Sequence, residues 1–444
     1  MNTRHRVTRW ALLVATVLVA ASSASWATNG MYLAGYGAEA SGRGGTNIAI
    51  ADRALGLQSN PAGIAQLQGN HFSVDLQVLM PDLDYSDPYG NSIEGESNSF
   101  FMPSFSYVRG GKGKKWTWGI GMFSQGGMGA HFKGYNYPPL VNNDETYSQV
   151  SFASLNPTVA YSFNDNLSIG LSGLLGYSMV EFRFWPETSS YFDADPPGPG
   201  PEDQAFFGMD LTEPAKTFNY AFRLGLMWRA TPKWQFGFVY QTKTEGDYED
   251  GELRLNTSAL GDPASVTYGK TAVDGFTWPE QYGVGVQFRA SQRVMLALDI
   301  KQYLWSDAME VITVKGTEPD ATFNPEVSVP FVFNWEDQTV YALGMDWRTT
   351  DALTLRFGYN HGDSPVPDET LNPLFPATTE DHITAGLGWT TKKGHTINFA
   401  LENALENTQT NPTENQNINP FGPGATVGHS QWTVSLGYSY AFSR

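Results

Sequence analysis

The chain has 444 residues, of which 16% are charged and 14% aromatic, and its formal net charge is −18. A mean hydropathy of −0.32 excludes a bundle of membrane-spanning helices, the lack of cysteine excludes a disulfide framework or a thiol nucleophile, and the acidic balance argues against nucleic-acid binding. Few charges, many aromatic residues, abundant glycine and no long apolar run are together typical of a membrane β-barrel.

Residues 1–27 predict a secretory signal peptide. Arg4, Arg6 and Arg9 precede a short apolar stretch, and Ser25 and Ala27 stand at the −3 and −1 positions of a cleavage site. The apolar stretch is shorter than the roughly 20 residues that a membrane-spanning helix needs. We therefore expect an exported protein.

Residues 28–70 do not alternate between apolar and polar side chains. They are small, carry few charges and are rich in glycine, for example at Gly35, Gly42, Gly44 and Gly45. Such a segment ahead of the first strand can trail in the periplasm or fold back into the lumen of a barrel. Its content of Ala, Gly, Leu and Ile favours packing inside the lumen.

From residue 71 onwards the pattern has a period of two, as strands with one lipid-facing side require. In the last strand, Trp432 and Leu436 share one face while Thr433 and Ser435 share the other. A soluble sandwich would bury the apolar face in a core, but no helical layer is available to cover it, so we expect this face to contact lipid. The alternation predicts about 14 strands. They lie near residues 71–80, 99–109, 115–125, 149–163, 166–184, 217–229, 233–246, 277–289, 293–305, 337–348, 353–361, 381–390, 395–403 and 431–442.

The connections between these strands alternate between short turns and long segments rich in Pro, Asn, Asp and Gly. Bacterial barrels have short periplasmic turns and long external loops, so residues 71–444 predict a barrel with both ends in the periplasm. Residues 248–272 could hold another strand pair. The long external loops are expected near residues 126–148, 185–216, 247–276, 306–336, 362–380 and 404–430.

The stretch from Gly35 to Gly45, followed by Asn60-Pro61-Ala62, resembles the N-terminal hatch of the FadL family, which are outer-membrane transporters of long-chain fatty acids and other hydrophobic compounds. The resemblance continues at Trp278-Pro279-Glu280 and at Leu355-Arg356-Phe357-Gly358-Tyr359, so it covers nearly the whole mature chain. It implies an all-β fold, namely a 14-stranded antiparallel transmembrane β-barrel with an N-terminal hatch, residues 28–70, inside the lumen.

The resemblance also implies a mechanism of passive uptake. External loops capture an apolar ligand, the ligand binds inside the barrel, the hatch moves, and the ligand leaves sideways through the wall. The expected gate is the hatch turn Asn60, Pro61, Ala62 and Gly63, which should lie near a kink in the third strand. Glycine in a strand marks a bulge or a close backbone approach. The expected kink positions are Gly119, Gly121 and Gly126.

Ligand contacts are expected from two groups of side chains. Burial of each CH₂ group contributes roughly 0.8 kcal/mol, so aromatic and apolar loop residues are candidates for capture. They are Phe184, Trp185, Phe206, Phe207, Met209 and Leu211. The alternative is that these side chains only pack the loops on one another.

A fatty-acid carboxylate would need a basic partner in the lumen. The cations on inward faces of predicted strands are Arg223, Arg289, Lys301, Arg348 and Arg356. Arg356 belongs to the family motif and is the first candidate. The alternative is that the inward cations pair with carboxylates across the lumen.

Fatty acids are the first expected substrate class, and small aromatic hydrocarbons or alkanes are the alternative. A lipid enzyme is disfavoured because no Gly-x-Ser-x-Gly elbow is present, and a general porin is disfavoured by the glycine-rich plug. We expect no catalytic residue, no metal site, no cofactor and no nucleic-acid partner. The expected setting is the outer membrane of a Gram-negative bacterium, with the protein as a monomer among lipid and lipopolysaccharide, inserted by the barrel-assembly machinery.

Overall fold

A computed structural model describes residues 29–50, 53–110, 115–137, 141–192, 204–415 and 418–442. The predicted signal peptide, residues 1–27, lies outside this range. Within the described residues, twenty strands belong to a single sheet. They are β1 (Asn70–Ser86), β2 (Ser92–Glu94), β3 (Phe100–Arg109), β4 (Trp116–Tyr137), β5 (Val141–Ser162), β6 (Leu167–Phe192), β7 (Gln204–Glu213), β8 (Ala215–Arg229), β9 (Trp234–Gln241), β10 (Tyr248–Asn256), β11 (Ser265–Asp274), β12 (Gln281–Arg289), β13 (Val294–Tyr303), β14 (Val311–Pro319), β15 (Glu326–Val332), β16 (Gln338–Arg348), β17 (Leu353–His361), β18 (Asp381–Thr390), β19 (His395–Asn411) and β20 (Ala425–Phe442).

The sheet closes on itself through antiparallel pairing. The ring of paired strands runs from β1 through β3, β4, β5, β6, β8, β9, β12, β13, β16, β17, β18, β19 and β20 back to β1. The closing ladder between β1 and β20 is unbroken from the pair Asn70 and Phe442 to the pair Ser86 and Thr426. Closure removes the exposed strand edges that an open sheet would present.

The predicted strand number of 14 was wrong for this sheet. Each predicted segment holds a strand, but β2, β7, β10, β11, β14 and β15 belong to the same sheet. All of these except β2 lie in segments predicted as loops, and β10 and β11 are the pair left open for residues 248–272. Their outer faces carry charges, as the pairs Lys270–Glu318 and Lys315–Asp274 across β11 and β14 show. Because their charges lie on the outer face, these extensions lack the apolar outer face that marked the other strands.

The outer face of the ring is apolar and uncovered. Phe218 is 85% exposed and Trp118 is 61% exposed, and other large outward side chains are Trp116, Phe222, Trp228, Trp389 and Trp432. A continuous exposed apolar band is a property of membrane-embedded barrels and not of soluble monomers. Among the described residues, no helix is both long enough and apolar enough to cross a membrane.

Residues 29–50 and 53–69, called here the lumen segment, precede β1 and lie inside the ring. They contain the short helix α1 (Ala38–Ser41) and the 3₁₀ turns Ala54–Leu57 and Pro61–Gln66. Two buried carboxylates of the wall hold the segment. Asp75 of β1 accepts a hydrogen bond from the backbone N–H of Ala38 at 2.9 Å, and Asp299 of β13 accepts from Asn47 at 2.7 Å and from Ile48 at 2.9 Å.

The glycine motif of the lumen segment lets its backbone touch the wall. Gly44 has φ +67°, and a Cβ atom there would lie 2.7 Å from the carbonyl oxygen of Tyr359. The Gly44 N–H donates to the Thr384 hydroxyl at 2.9 Å, and the Asn360 amide donates to the Gly44 carbonyl at 3.1 Å. Only glycine combines this backbone conformation with such a close approach.

Candidate functional site

The ladder between β3 and β4 ends part of the way up the wall. It runs from the pair Arg109 and Trp118 to the pair Ser104 and Phe123, whereas β3 continues to Phe100 in full register with β1. Beyond Phe123 the described residues of β4 pair with β5 but no longer with β3. The ring is therefore interrupted on one side of β4 between Phe123 and His131, whose carbonyl accepts a hydrogen bond from the Glu96 N–H at 2.9 Å.

A bulge on β4 begins where that ladder ends. Ser124 pairs with Ala153 and Gly126 pairs with Phe152, so Gln125 is an extra residue on β4 relative to β5. A bulge bends its strand and re-aims the residues that follow. Here the bend carries β4 inwards onto the lumen segment.

Backbone contacts join the bent strand to the lumen segment. Gly126 forms an antiparallel bridge with Tyr32, and the Gly127 N–H donates to the Met31 carbonyl at 3.0 Å. The Tyr36 hydroxyl donates to the Gln125 carbonyl at 2.7 Å. A Cβ atom at Gly126 would lie 2.0 Å from the Met31 carbonyl oxygen, so glycine is required at this contact.

A buried chain of amides continues this connection. The Gln58 amide donates to the Gln125 side chain, which donates to the Ser154 hydroxyl at 2.6 Å. The Asn156 amide donates back to the Gln58 side-chain oxygen at 2.6 Å. The lumen segment, the β4 bulge and β5 thus share one satisfied polar network, which favours their movement as a unit.

Of the three predicted kink positions, only Gly126 lies at the bulge. Gly119 and Gly121 remain in the regular ladder, opposite Val108 and Ser106 of β3. On their inner side, added Cβ atoms would lie 3.2–3.4 Å from Leu57 side-chain atoms of the lumen segment. These two glycines make room for the lumen segment beneath the gap.

The predicted gate turn lies at another part of the wall. The Asn60 amide donates to the Ile48 carbonyl at 2.8 Å and to the Leu226 carbonyl at 3.1 Å. Ser168 of β6 donates to the Ala62 carbonyl at 3.0 Å, and Cβ atoms at Gly170 or Gly225 would overlap Pro61. Residues 60–63, including Gly63, therefore sit on β6, β8 and β9. Other residues of the lumen segment, namely Tyr32, Tyr36 and Gln58, reach the β4 bulge.

The predicted capture residues do come together above the lumen. Phe184 stacks on Trp185 at a centroid distance of 4.7 Å, and both rings contact Phe421, at 5.6 and 5.3 Å. This loop cluster also includes, as buried or partly buried members, Phe206, Phe207, Met209, Leu211, Tyr135 and Tyr137. The arrangement is compatible with both hypotheses made from the sequence, which are ligand capture and packing between loops.

An apolar cavity of about 20 Å³ lies below the loop cluster. Every lining side chain is apolar, and the larger ones come from β6, β14, β15 and the connections around them. They are Phe182, Phe276, Met309, Ile312, Phe331, Phe333, Leu374 and Phe375. The free space is close to that of a single water molecule, so a ligand must displace side chains to enter.

An aromatic group around Tyr32 of the lumen segment lies next to this cavity, because Trp278 is 6.0 Å from the lining residue Phe276. Tyr32 lies 5.2 Å from Trp278, 5.3 Å from Tyr303 and 5.8 Å from Trp305, measured between ring centroids. Tyr32 also forms a bridge with Gly126. This one residue therefore contacts both the tryptophans near the apolar cavity and the β4 bulge.

The inward cations divide between two levels. Lys301 donates to the carbonyls of Ala34 at 3.2 Å and Gly45 at 3.0 Å, and Arg223 donates to the Gln58 carbonyl. Both line a cavity of about 40 Å³ beside the lumen segment. Arg356 lies on the periplasmic side, paired with Asp346 at 3.4 Å, and the structure does not bring it near the capture residues.

Sequence reasoning missed Tyr32, Gln125 and the role of Trp278 and Trp305. The sequence marked the two tryptophans as residues at strand ends. Their complete burial could not be predicted from the period-two alternation. Gln125 carries no local signal, because its partners come from residues 36, 58 and 154.

We expect Asp299→Ala to loosen the lumen segment. The Asn47 and Ile48 N–H groups would lose their buried acceptor, and an unsatisfied buried donor costs about 1–3 kcal/mol. Hydrogen exchange of residues 44–50 should become about 10- to 100-fold faster, because each 1.4 kcal/mol corresponds to a factor of ten. Asp351→Ala, which removes an exposed carboxylate from a short turn, is the control. Unchanged exchange in the Asp299 variant would show that these bonds do not hold the segment.

The closed antiparallel ring with an apolar outer face defines the class of this protein, which is a β-barrel of the bacterial outer membrane. The chain belongs to the family described as outer membrane protein transport protein (OMPP1/FadL/TodX), whose model matches residues 17–442. The expected family and the outer-membrane location are thereby confirmed.

Individual relatives are distant but match over most of their length. The long-chain fatty acid transport protein of Escherichia coli K12 is 22% identical over 427 residues, which cover 90% of this chain and 92% of the relative. The toluene transporter TodX of P. putida has a TM-score of 0.75 at 21% identity, covering 93% of this chain and 100% of that one. A FadL homologue of Pseudomonas aeruginosa has a TM-score of 0.73 at 16% identity, with coverage of 93% and 100%. These structures show the shared fold.

Proposed function

We propose that this protein carries hydrophobic molecules across the outer membrane by diffusion, through loop capture, binding in the apolar cavity, movement of the lumen segment and sideways exit between β3 and β4. The interrupted ladder beside the β4 bulge is the observation that carries the proposal. It is a gap in the wall at the height where the lumen segment meets β4.

The arrangement of the lumen supports sideways exit over passage straight through. Below Tyr32 the lumen is occupied by a segment held by buried carboxylates and lysine contacts. An apolar solute gains nothing from a polar path between these groups, whereas the outer face beside β3 and β4 is apolar. Exit at the gap leads the ligand from the apolar cavity to the apolar outer face.

Capture follows from the apolar cavity and the loop cluster above it. Displacement of side chains such as Phe331 and Phe333 would open the 20 Å³ cavity for an acyl chain or a ring. Burial worth about 0.8 kcal/mol per CH₂ can offset that rearrangement for a ligand of sufficient length. No energy source is required, because consumption of the ligand inside the cell maintains the gradient.

Long-chain fatty acids are the first proposed substrate class. The relatives from enteric bacteria are named for them, and two cations, the buried Arg223 and the half-buried Lys301, lie beside the lumen segment. Small aromatic hydrocarbons or alkanes are the second class, favoured by the purely apolar lining of the cavity below the loops. Both cations already bind carbonyls of the lumen segment, so a carboxylate would have to replace those contacts.

Uptake of oleate and of toluene by a host that lacks its own fatty-acid transporter tests the proposal and separates the two classes. If the carboxylate binds Lys301, Lys301→Gln should lower oleate uptake at least tenfold and leave toluene uptake unchanged. Lys392→Gln, at an exposed turn, is the matched control. Equal loss of both substrates would assign Lys301 to holding the lumen segment, and uptake of neither by the folded wild-type barrel would contradict the proposed function.

The remaining aspects of the proposal concern maturation and partners. We propose that residues 1–27 are removed on export, that the barrel-assembly machinery inserts the barrel, and that the protein acts as a monomer among lipid and lipopolysaccharide without a cofactor or enzymatic activity. N-terminal mass spectrometry of membrane-derived protein checks the first point, since the expected mature chain starts at Thr28.

A further inference from the structure

A third and much larger cavity opens at the periplasmic end of the ring, below the lumen segment. Its volume is about 680 Å³. The wall is formed by the turns that join β8 to β9, β12 to β13 and β16 to β17, and the roof includes Ile50, Arg53 and Gln66 of the lumen segment. We call this cavity the vestibule. The proposed transport path, which leaves sideways above the lumen segment, does not use it.

The vestibule concentrates positive charge in an acidic protein. The whole chain has 27 basic and 45 acidic residues, yet the only carboxylate among the lining residues that the structure describes is Asp346. Asp346 is already shared between Arg43 of the lumen segment, at 3.1 Å, and Arg356 of the wall, at 3.4 Å. It leaves little negative charge for the other cations.

The other wall cations lack a counter-charge. Across the part of the chain that the structure describes, five lining residues form no ion pair with a carboxylate: Arg229, Lys233, Arg289, Arg293 and Arg348. Their neighbours in the cavity are neutral amides such as Gln235 and Gln287. A group of like charges around one space attracts an anion, and the low-dielectric walls concentrate the field.

The chemistry of these side chains indicates which anion fits. Guanidinium groups bind carboxylate and phosphate oxygens through paired hydrogen bonds, and several such groups around one cavity suit a ligand with several oxyanion oxygens. The vestibule faces the lumen and the periplasm, not the bilayer, so its ligand arrives in solution. We propose that the vestibule is a binding site for a small soluble oxyanion, bearing phosphate or carboxylate groups, from the periplasm.

The position of Arg53 gives such binding a consequence for the lumen segment. Arg53 belongs to that segment and pairs with its Glu39 at 3.4 Å, while Arg229 of the wall donates to the Gln66 side chain at 2.6 Å. An oxyanion held by Arg53 and the wall cations joins the segment to the barrel from below. Binding therefore holds the lumen segment in the arrangement seen here.

Calorimetric titration of the purified full-length barrel in neutral detergent, with pyrophosphate at constant ionic strength, tests the site. Arg289→Gln combined with Arg348→Gln should weaken binding at least tenfold. Lys392→Gln combined with Lys393→Gln is the matched control, because it removes the same charge from an exposed turn at the same end of the ring but outside the vestibule; it should change affinity less than twofold. Equal weakening in both double variants, or no pyrophosphate binding by the wild type, overturns the proposal.

A second titration with citrate at constant ionic strength separates the two ligand sources. Pyrophosphate binding that citrate does not displace assigns the site to phosphate-bearing solutes, whereas displacement extends it to carboxylates. Pyrophosphate should slow hydrogen exchange of residues 54–66 at least threefold in the wild type. It should not do so in the variant that combines Arg289→Gln with Arg348→Gln. If the first variant does not fold, Lys233→Gln combined with Arg293→Gln, at exposed turn positions, serves instead. These measurements involve no hydrophobic substrate, so their failure leaves the proposed transport function untouched.

Discussion

Deletion of Gln125 is expected to abolish uptake of hydrophobic substrate while leaving a folded barrel. Gln125 is the extra residue between the pairs Ser124–Ala153 and Gly126–Phe152, so its removal restores regular register between β4 and β5. Without the bulge, β4 can continue beside β3 to Phe100 and close the gap. We expect uptake to fall at least tenfold, measured with radiolabelled oleate or toluene in cells with equal amounts of folded barrel.

Gln125→Ala is the matched control for the deletion. It keeps the bulge and the hydrogen bond from Tyr36 to the backbone carbonyl of residue 125, and it loses the side-chain contacts with Gln58, Ser154 and the Tyr36 hydroxyl. We expect it to retain most of the uptake. Heat-modifiable mobility in electrophoresis shows whether each barrel is folded. Full uptake by a folded deletion variant would rule out sideways exit beside β4.

The double substitution Phe184→Ala and Trp185→Ala should weaken capture 10- to 100-fold. The two rings stack at 4.7 Å and both contact Phe421, so they form the buried centre of the loop cluster into which an apolar ligand would insert. Aromatic pairs contribute about 0.5–1.5 kcal/mol each beyond their burial, and two lost partners correspond to that range of affinity. The half-saturation concentration of uptake should rise, while the maximal rate at high substrate concentration should persist.

Phe218→Ala is the control for this substitution, because Phe218 is 85% exposed on the outer face and does not belong to the loop cluster. Its half-saturation concentration should equal that of the wild type. If the double variant instead lowers the maximal rate without changing half-saturation, these rings serve packing between loops, which was the other hypothesis made from the sequence.

The period-two alternation was sufficient to predict a closed antiparallel barrel because lipid acts on every membrane-spanning strand. Leu436 on the outer face and Ser435 on the inner face follow that rule without reference to any other part of the chain. The rule ends where the strands leave the bilayer. Lys315 and Glu318 of β14 face water, and the strand number was wrong for that reason.

The site was predictable only in its local parts. The resemblance indicated Gly126, and the structure places it at the bulge. Gly119 and Gly121 give the same local signal for a different reason, because Cβ atoms there would crowd Val108 and Phe123 of the wall as well as Leu57 of the lumen segment. Arg356 was placed correctly on an inward face. The period-two pattern does not tell whether an inward side chain lies above or below the lumen segment. For Arg356 the lower position is defined by its contact with Asp346.

The ladder between β1 and β20 joins the two ends of the barrel sequence, and this determines the order of assembly. The ring cannot close before residue 442 has been exported, although the lumen segment emerges first. Its partners Asp299, Asp346 and Thr384 come far later in the chain. Pairing over such separations is slow. The lumen segment must therefore stay unpaired in the periplasm until the last strand closes the ring around it. A chain truncated before β20 should expose an open strand edge and an unpacked lumen segment to periplasmic chaperones and proteases.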